Sequence, residues 1–298
     1  MSRMLRRLLL LVPLLSACAT AQPKVAVSKN AQTPTLDRLV GVGAGALHVH
    51  CIGNGAPLVL LDAGLGDDGR VWSKVLPEVG RITRACAYDR LGLGYSSPAP
   101  RPRAVRQMVD ELHQLLEMTA PGVPYVLVAH SFAGLTTRLY VSQYPNEVAG
   151  LVLVDPTTEE QDTRFWSLLP EQHLKPFREM LGRNPEGVDF DVFRAGMSEL
   201  RRSHRSLGDR PLVVLTAGEK SGPGVSEEVD AQMAAVWLDM HAENARLSSN
   251  GVHVVAKQSG HYIQLEEPQL VVAAIREVVH ASRTKTRVRP AFISTATR

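Results

Sequence analysis

The most informative segment of the sequence is Pro124-Tyr-Val-Leu-Val-Ala-His-Ser131-Phe-Ala-Gly134-Leu135. An apolar, strand-like run ends here in a serine, and a helical pattern begins directly after it. A serine on so sharp a strand-to-helix turn raises its hydroxyl clear of the sheet, and the strained backbone needs small neighbours. Those neighbours are Ala129, Ala133 and Gly134, although glycine is more usual at the first two positions. The pattern predicts a nucleophile elbow with Ser131 at its tip.

Strand-like and helix-like segments alternate along most of the chain. Tyr125–Ala129 is aliphatic and β-branched, which is typical of a strand buried on both faces. Comparable runs recur at five further places: Leu58–Leu61, Arg84–Tyr88, Leu151–Val154, Leu212–Thr216 and Val252–Ala256. Helix-length segments such as Val105–Glu117 and Leu135–Tyr144 separate them. The alternation predicts an α/β fold with a mostly parallel sheet and helices on both faces.

Three further motifs accompany the elbow in a fixed order: Leu61-Asp-Ala-Gly-Leu-Gly66, Tyr88-Asp-Arg-Leu-Gly-Leu-Gly-Tyr-Ser96 and Ser259-Gly-His261. With them, residues 41–282 resemble the α/β-hydrolase superfamily. The resemblance implies an oxyanion-hole turn, a Gly-rich turn and a histidine loop, and it implies a small helical cap over about residues 156–210. One departure is Asp62-Ala63, where the superfamily usually has His-Gly.

A serine hydroxyl is a poor nucleophile at neutral pH, so its attack on a carbonyl needs a base, and imidazole has a suitable pKa. His261 is the expected base because it follows the last strand, at the sheet edge where the elbow also lies. Two backbone N–H groups would stabilise the oxyanion. One belongs to Phe132, and the other belongs to Gly64, or to Leu65 if the turn is shifted by one residue.

The carboxylate that would complete a triad has several candidate positions. In most of the superfamily it follows the strand placed here at Leu212–Thr216, where Glu219 is the first acid and a cluster comes later: Glu227, Glu228 and Asp230. In other branches it follows the strand after the elbow helix, and there Asp155 lies 24 residues beyond Ser131. Asp155 is the preferred candidate, Glu219 is the alternative and the cluster comes next. Each keeps the chain order Ser, acid, His.

The resemblance implies a serine hydrolase that acts on a small or medium carboxylic ester through an acyl-enzyme. An amidase or peptidase, a lactonase and an acyltransferase use the same triad and stay open as alternatives. Epoxide hydrolases and haloalkane dehalogenases are disfavoured, because their nucleophile is an aspartate. From another class, the alternative is a catalytically silent envelope binding protein.

The expected cap holds most of the Phe residues and one Trp: Phe165, Trp166, Phe177, Phe190 and Phe193. We expect most of these to pack the cap and some to line a pocket.

The N-terminus predicts export. Three arginines precede the apolar run Leu8–Leu15, which is too short to span a bilayer and is typical of a signal peptide, assigned to residues 1–17. Leu15-Ser-Ala-Cys18 resembles a bacterial lipobox, which predicts lipidation of Cys18 and a flexible tether over residues 18–40. The protein would then be a membrane-anchored lipoprotein of the cell envelope, facing the periplasm or the exterior. Cleavage near residues 17–21, giving a soluble periplasmic or secreted protein, is the alternative.

The formal net charge of +3 arises at the two ends of the chain, because residues 1–18 and 281–298 hold eight Lys and Arg and no acid. The remainder has 25 basic and 30 acidic residues, a net charge of −5, which argues against nucleic acid as a partner. Residues 283–298 are predicted to be a disordered basic tail. The expected partner is a small ester-like molecule, and the oligomeric state is not predicted.

We expect no cofactor and no metal. The Gly-rich segment Gly41–Gly45 opens into a strand pattern, whereas a dinucleotide-binding motif opens a helix. His48 and His50 lack a third ligand at a recognisable spacing.

Cys51 and Cys86 fall on strands that the superfamily places side by side. A disulfide between them is open in an oxidising compartment, but two buried thiols are the preferred interpretation.

Overall fold

The computed structural model describes residues 35–101, 103–203, 206–219 and 225–294. Their strands are β1 (Thr35–Val42), β2 (Gly45–Ile52), β3 (Leu58–Asp62), β4 (Ala85–Tyr88), β5 (Tyr125–His130), β6 (Val148–Val154), β7 (Leu212–Ala217) and β8 (Gly251–Ala256). Their helices are α1 (Leu76–Gly80), α2 (Val105–Thr119), α3 (Ala133–Gln143), α4 (Glu171–Gly182), α5 (Phe190–Ser203), α6 (Glu227–Ala245), α7 (Ile263–Glu266), α8 (Pro268–Thr284) and α9 (Pro290–Ser294). No helix in these ranges has both the length and the apolar character that a membrane span requires. The predicted signal peptide and Cys18 lie outside the described residues.

The strands lie side by side in the order β1-β2-β4-β3-β5-β6-β7-β8. From β4 to β8 every neighbouring pair is parallel, whereas β1 pairs antiparallel with β2, and β2 with β4. The predicted α/β fold with a mostly parallel sheet is confirmed. Because the carboxyl ends of parallel strands meet at one edge, the loops after β3, β5, β6 and β8 converge there.

Strand β5 explains why the central strands have continuous apolar sequences, since all six of its residues are buried. Leu127 belongs to the core shared with α2 and α3 on one face of the sheet, whereas Val126 and Val128 belong to the core shared with α8 on the other. Each fully buried Val or Leu stabilises the fold by about 1.5–3 kcal/mol. The two cores hold β5 from both sides and so position the turn that follows it.

The N-terminal boundary of the domain lies earlier than the predicted residue 41. Residues 35–40, assigned to the tether, belong to β1 and pair in register with β2. Val40 and Val42 are buried, while most other residues of β1 are exposed. A strand with only two buried residues at the sheet edge has a weak apolar pattern, so its sequence does not distinguish it from a tether.

Cys51 and Cys86 form a disulfide, so the interpretation as two buried thiols is wrong. They lie directly opposite each other on β2 and β4, with Cα atoms 4.0 Å apart. Neighbouring parallel strands often have poor geometry for a disulfide. This pair is antiparallel, and an antiparallel register brings facing side chains close together.

The expectation of a disordered basic tail is also wrong as far as residue 294. Helix α8 continues past residue 283, and the short helix α9 follows it. Val288 and Ile293 are buried in the core of α8. Arg289 donates from Nε and Nη2 to the Glu277 carboxylate at 2.7 and 2.9 Å. Two apolar anchors and one ion pair therefore hold a segment whose charge pattern alone indicated disorder.

Candidate active site

Ser131 lies at the tip of the turn between β5 and α3. Its φ of 52° is in the left-handed region, which costs a residue other than glycine about 1–3 kcal/mol. Gly134 lets this turn approach the loop after β6, since a Cβ on it would lie 2.6 Å from the Cβ of Pro156. The turn directs the hydroxyl toward His261, and Ser131 Oγ lies 2.9 Å from His261 Nε2.

His261 lies in the loop between β8 and α7, which is held on two sides. Glu266 accepts a hydrogen bond from the N–H of Gly260 at 2.6 Å. His130 donates from Nε2 to the backbone carbonyl of His261 at 2.9 Å. Burial is the main cause that lowers the pKa of His130, to about 3, and nearby His261 adds to it. His130 is therefore a neutral support for the loop at physiological pH.

Asp155 follows β6, and its carboxylate reaches the other nitrogen of the His261 ring. Oδ2 lies 2.7 Å from His261 Nδ1, while Oδ1 accepts hydrogen bonds from the N–H of Ala217 at 2.9 Å and from Trp237 Nε1 at 2.8 Å. Burial alone would raise the pKa of Asp155. The hydrogen bond from His261, the nearby ring of His241 and the bond from Trp237 outweigh burial and hold this pKa well below its usual range. Ionised Asp155 places the His261 proton on Nδ1, and Nε2 is an acceptor.

The other candidate acids lie apart from the row formed by Ser131, His261 and Asp155. Glu219 follows β7, and its side chain is exposed. Its backbone N–H donates to the carbonyl of Ser259 at 2.9 Å. The later cluster forms the first turn of α6, where negative charge favours a helix N-terminus: Glu227, Glu228 and Asp230. The structure thus brings Asp155, rather than Glu219, into contact with His261.

Two residues of α6 support Asp155 and were not predicted. Trp237 donates to its carboxylate. His241 is fully buried, donates from Nε2 to the carbonyl of Pro156 at 2.8 Å and lies 2.8 Å from the hydroxyl of Thr216 through Nδ1. Together they hold a turn in which Asp155 has a φ of 43°. The only sequence signal was their spacing, because residues four apart share one helix face.

The candidate oxyanion donors lie around Ser131. Phe132 is the N-cap residue of α3, so its N–H has no partner within the helix. Gly64 and Leu65 line the same cavity as Ser131. A Cβ on Gly64 would lie 2.9 Å from His130 Nδ1, and the turn therefore needs glycine at this position.

Arg90 explains the departure at Asp62-Ala63. This arginine of the Gly-rich turn donates from Nη1 to Asp62 Oδ1 and to the carbonyl of Ala63, both at 2.6 Å, and from Nη2 to the carbonyl of Gly64 at 2.6 Å. Asp62 is thus an ion-pair partner beneath the turn. Sequence reasoning missed Arg90 and its second partner, Glu186.

A cavity of about 650 Å³ opens at Ser131 beneath the cap helices. Most of its wall is apolar, and the cap contributes these rings to it: Phe165, Trp166, Phe177 and Phe193. Trp166 packs against Phe177 and Phe193, with ring centroids 5.1 and 5.4 Å apart. Phe190 packs on Trp166 at 5.3 Å and does not line the cavity. The cap aromatic residues therefore pack on one another and also line the site.

Among the described residues, one group of three side chains has spacing that could hold a metal ion, with the ligand atoms of His113, Glu117 and Glu147 within 4.8 Å of one another. His113 Nε2 already lies 3.1 Å from Glu147 Oε1. His48 lies between two carboxylates, at 2.6 Å from Asp37 and 3.1 Å from Asp89. Neither group contacts the row formed by Ser131, His261 and Asp155.

Comparison with known proteins agrees with this architecture. The sequence profile of the alpha/beta hydrolase fold family matches residues 57–231, which is more than half of the chain. Protein YqjL of Bacillus subtilis is 28% identical over 245 residues, 82% of this chain and 92% of YqjL. Lipase LipV of Mycobacterium tuberculosis is 35% identical over 131 residues, 44% of this chain and 49% of LipV. A thermophilic esterase from Thermogutta terrifontis shares the fold, with a TM-score of 0.58 at 20% identity over 84% of this chain and 99% of the esterase. The chain belongs to the α/β-hydrolase fold family.

Proposed function

We propose that the protein is a serine hydrolase that cleaves a small or medium carboxylic ester through an acyl-enzyme on Ser131. The observation that carries the proposal is the row from Ser131 through His261 to Asp155, with contacts of 2.9 and 2.7 Å at an apolar cavity. Family membership supports a hydrolase. The names of the similar lipase and esterase favour an ester as substrate.

In the proposed reaction, Ser131 Oγ attacks the ester carbonyl carbon while its proton passes to Nε2 of His261. Ionised Asp155 stabilises the imidazolium that forms. The N–H of Phe132 and an N–H of the turn after β3 donate to the oxyanion. The alcohol then leaves with the proton of His261, and Ser131 carries the acyl group. Water attacks this ester with His261 as base, and the carboxylic acid departs.

A fluorophosphonate probe, which reacts with activated serine, tests the nucleophile. The wild-type protein should be labelled and Ser131→Ala should not, while His261→Ala should lower turnover by orders of magnitude. Ser142→Ala is a matched control, because Ser142 lies on α3 and donates to the Leu139 carbonyl, away from the site. Labelling of folded Ser131→Ala would contradict the assignment of Ser131 as the nucleophile. A folded wild-type protein that is not labelled would favour the silent binding protein.

We propose short and medium acyl chains because aromatic rings of the cap line a cavity of about 650 Å³. With p-nitrophenyl esters of increasing chain length, kcat/KM should rise and then fall as the acyl group outgrows the cavity. Phe177→Ala should move the optimum to longer chains, because its ring lines the wall. Phe190→Ala is the control, since this ring packs outside the wall. Matching anilides and lactones would distinguish an amidase or a lactonase, and an unchanged optimum in Phe177→Ala would contradict this placement of the acyl group.

We also propose that Cys18 is lipidated and anchors the protein to the cell envelope. The disulfide between Cys51 and Cys86 supports an oxidising compartment. Cys18→Ala should move the exported protein from the membrane fraction to the soluble one, or stall the precursor. Replacing Cys51 and Cys86 together is the control and should leave the fractionation unchanged. Wild-type protein found only in the soluble fraction, with an unmodified mature terminus, would contradict the proposal.

A further inference from the structure

Arg90 lies in the turn after β4, and its side chain is only 3% exposed. All five of its N–H groups have acceptors. Nη1 donates to Asp62 Oδ1 and to the Ala63 carbonyl, each at 2.6 Å. Nη2 donates to the Gly64 carbonyl at 2.6 Å and to Glu186 Oε1 at 3.0 Å, and Nε donates to Glu186 Oε2 at 2.6 Å. One guanidinium therefore connects the turn after β3 to a glutamate between the cap helices.

These contacts orient the backbone of the turn. A trans peptide group is planar, so its C=O and N–H point in opposite directions. Arg90 holds the C=O of the peptide between Ala63 and Gly64, and also that of the peptide between Gly64 and Leu65. The N–H groups of the same two peptides belong to Gly64 and Leu65, and both point away from Arg90. Both candidate oxyanion donors are therefore oriented by one side chain.

Glu186 holds the far end of the same turn. Its side chain is completely buried, and its Oε1 accepts a hydrogen bond from the N–H of Gly66 at 2.7 Å in addition to its contact with Arg90. Its own backbone N–H donates to Asn184 Oδ1 at 2.8 Å. Glu186 thus seats Arg90 and closes the turn at residue 66.

We propose that Arg90, seated by Glu186, is a positioning residue that presets the oxyanion hole. Its planar fork reaches two neighbouring carbonyls at once, which the point charge of a lysine does not do. Preorganised donors stabilise the transition state because they need not reorient as charge develops. Arg90 acts through the backbone of Gly64 and Leu65. The inference rests on the proposed serine hydrolase function.

Arg90→Lys tests the proposal, with p-nitrophenyl butyrate as substrate. Losing one oxyanion donor costs about 10²–10³-fold in kcat, and since lysine keeps part of the contact, kcat should fall about 10- to 100-fold. KM should change less than about threefold, because the loss falls on the transition state. Butylboronic acid forms a tetrahedral adduct with an active serine, so its Ki should rise by the factor by which kcat/KM falls. Thermal unfolding verifies that the variant is folded.

Arg138→Lys is the matched control. Arg138 is similarly buried, with a side chain 4% exposed, and pairs with Glu159 instead of the turn. The Arg138→Lys variant should keep kcat and the boronate Ki within about twofold of the wild-type values. Glu186→Gln keeps the shape of the side chain but removes its charge, and it should lower kcat about tenfold with the same rise in Ki. If Arg90→Lys does not fold, Glu186→Gln tests the positioning role of Arg90 in its place.

A folded Arg90→Lys or Glu186→Gln enzyme with wild-type kcat and boronate Ki would overturn the inference and leave the proposed hydrolase intact. Losses in kcat without weaker boronate binding, or equal losses in Arg138→Lys, would overturn it as well. A folded wild-type protein without labelling or turnover would instead refute the proposed function, and the inference would fall with it.

Discussion

Replacing Asp155 with asparagine should disable the site without unfolding the protein, because of how the native carboxylate is surrounded. Oδ1 accepts hydrogen bonds from the N–H groups of Ala217 and Trp237, and Oδ2 faces Nδ1 of His261. An amide has one oxygen and one NH₂. Two donors at the Oδ1 position require the oxygen there, so the NH₂ must face His261. His261 then accepts at Nδ1 and carries its proton on Nε2, which faces Ser131.

In that tautomer His261 cannot accept the proton of Ser131. The same substitution in another triad hydrolase lowers kcat about 10⁴-fold, which corresponds to about 5 kcal/mol in the activation free energy. We expect a loss of this size for Asp155→Asn. The hydrogen bonds from Ala217 and Trp237 survive, so the free energy of unfolding should fall by no more than about 2 kcal/mol.

Steady-state hydrolysis of p-nitrophenyl butyrate measures kcat, and urea denaturation measures the free energy of unfolding. Glu219→Gln is the matched control, because it makes the same chemical change on an exposed carboxylate after β7. Its kcat should stay within about tenfold of the wild type. The reasoning fails if folded Asp155→Asn keeps more than about a tenth of the wild-type kcat, or if Glu219→Gln is the crippled variant.

Three further predictions concern stability. The pKa of His130 falls from 6.5 to about 3 on folding, so between these pH values His130 takes up a proton in the unfolded chain but not in the folded one. Its contribution should lower the free energy of unfolding by up to about 1.4 kcal/mol for each pH unit of acidification between pH 6.5 and about pH 3. His130→Gln should flatten this slope in urea denaturation, and an equally steep slope would contradict it. Replacing Cys51 and Cys86 by alanine should lower the free energy of unfolding by about 4 kcal/mol for a separation of 35 residues, and dithiothreitol should then have no effect. Glu277→Gln should speed amide exchange in residues 286–294 through loss of its ion pair with Arg289, and unchanged exchange would disprove that anchor.

The central sheet and the row at its edge could be predicted from the sequence because local patterns encode them. Ser131 and Asp155 each end a continuous apolar run, and such runs are strands of a parallel sheet. His261 follows the last of these runs by a short loop. Once the strands are parallel, their carboxyl ends meet, so the three residues converge without any contact being known in advance. The carboxyl ends of β6 and β7 both meet this edge, so the choice of Asp155 over Glu219 comes from the contact of Asp155 with His261.

The supports of the site could not be predicted, because they depend on long-range contacts between unremarkable residues. Arg90 and Glu186 are 96 positions apart, and Trp237 is 82 positions from Asp155. Nothing in their neighbouring sequence marks a partner. The disulfide is equally hard to predict, because its geometry depends on the antiparallel pairing of β2 and β4, which the sequence of each strand alone does not encode.

The left-handed backbone of Ser131 also has an evolutionary consequence. Glycine adopts such a φ without the penalty that serine incurs, so a Ser131→Gly descendant would lose the hydroxyl and gain thermal resistance in the same step. Selection for a stable fold alone would therefore favour an inert lineage. If Ser131 acts as proposed, selection retains it only while its reaction is useful to the cell, and a relative with glycine at the elbow would be inactive but more stable.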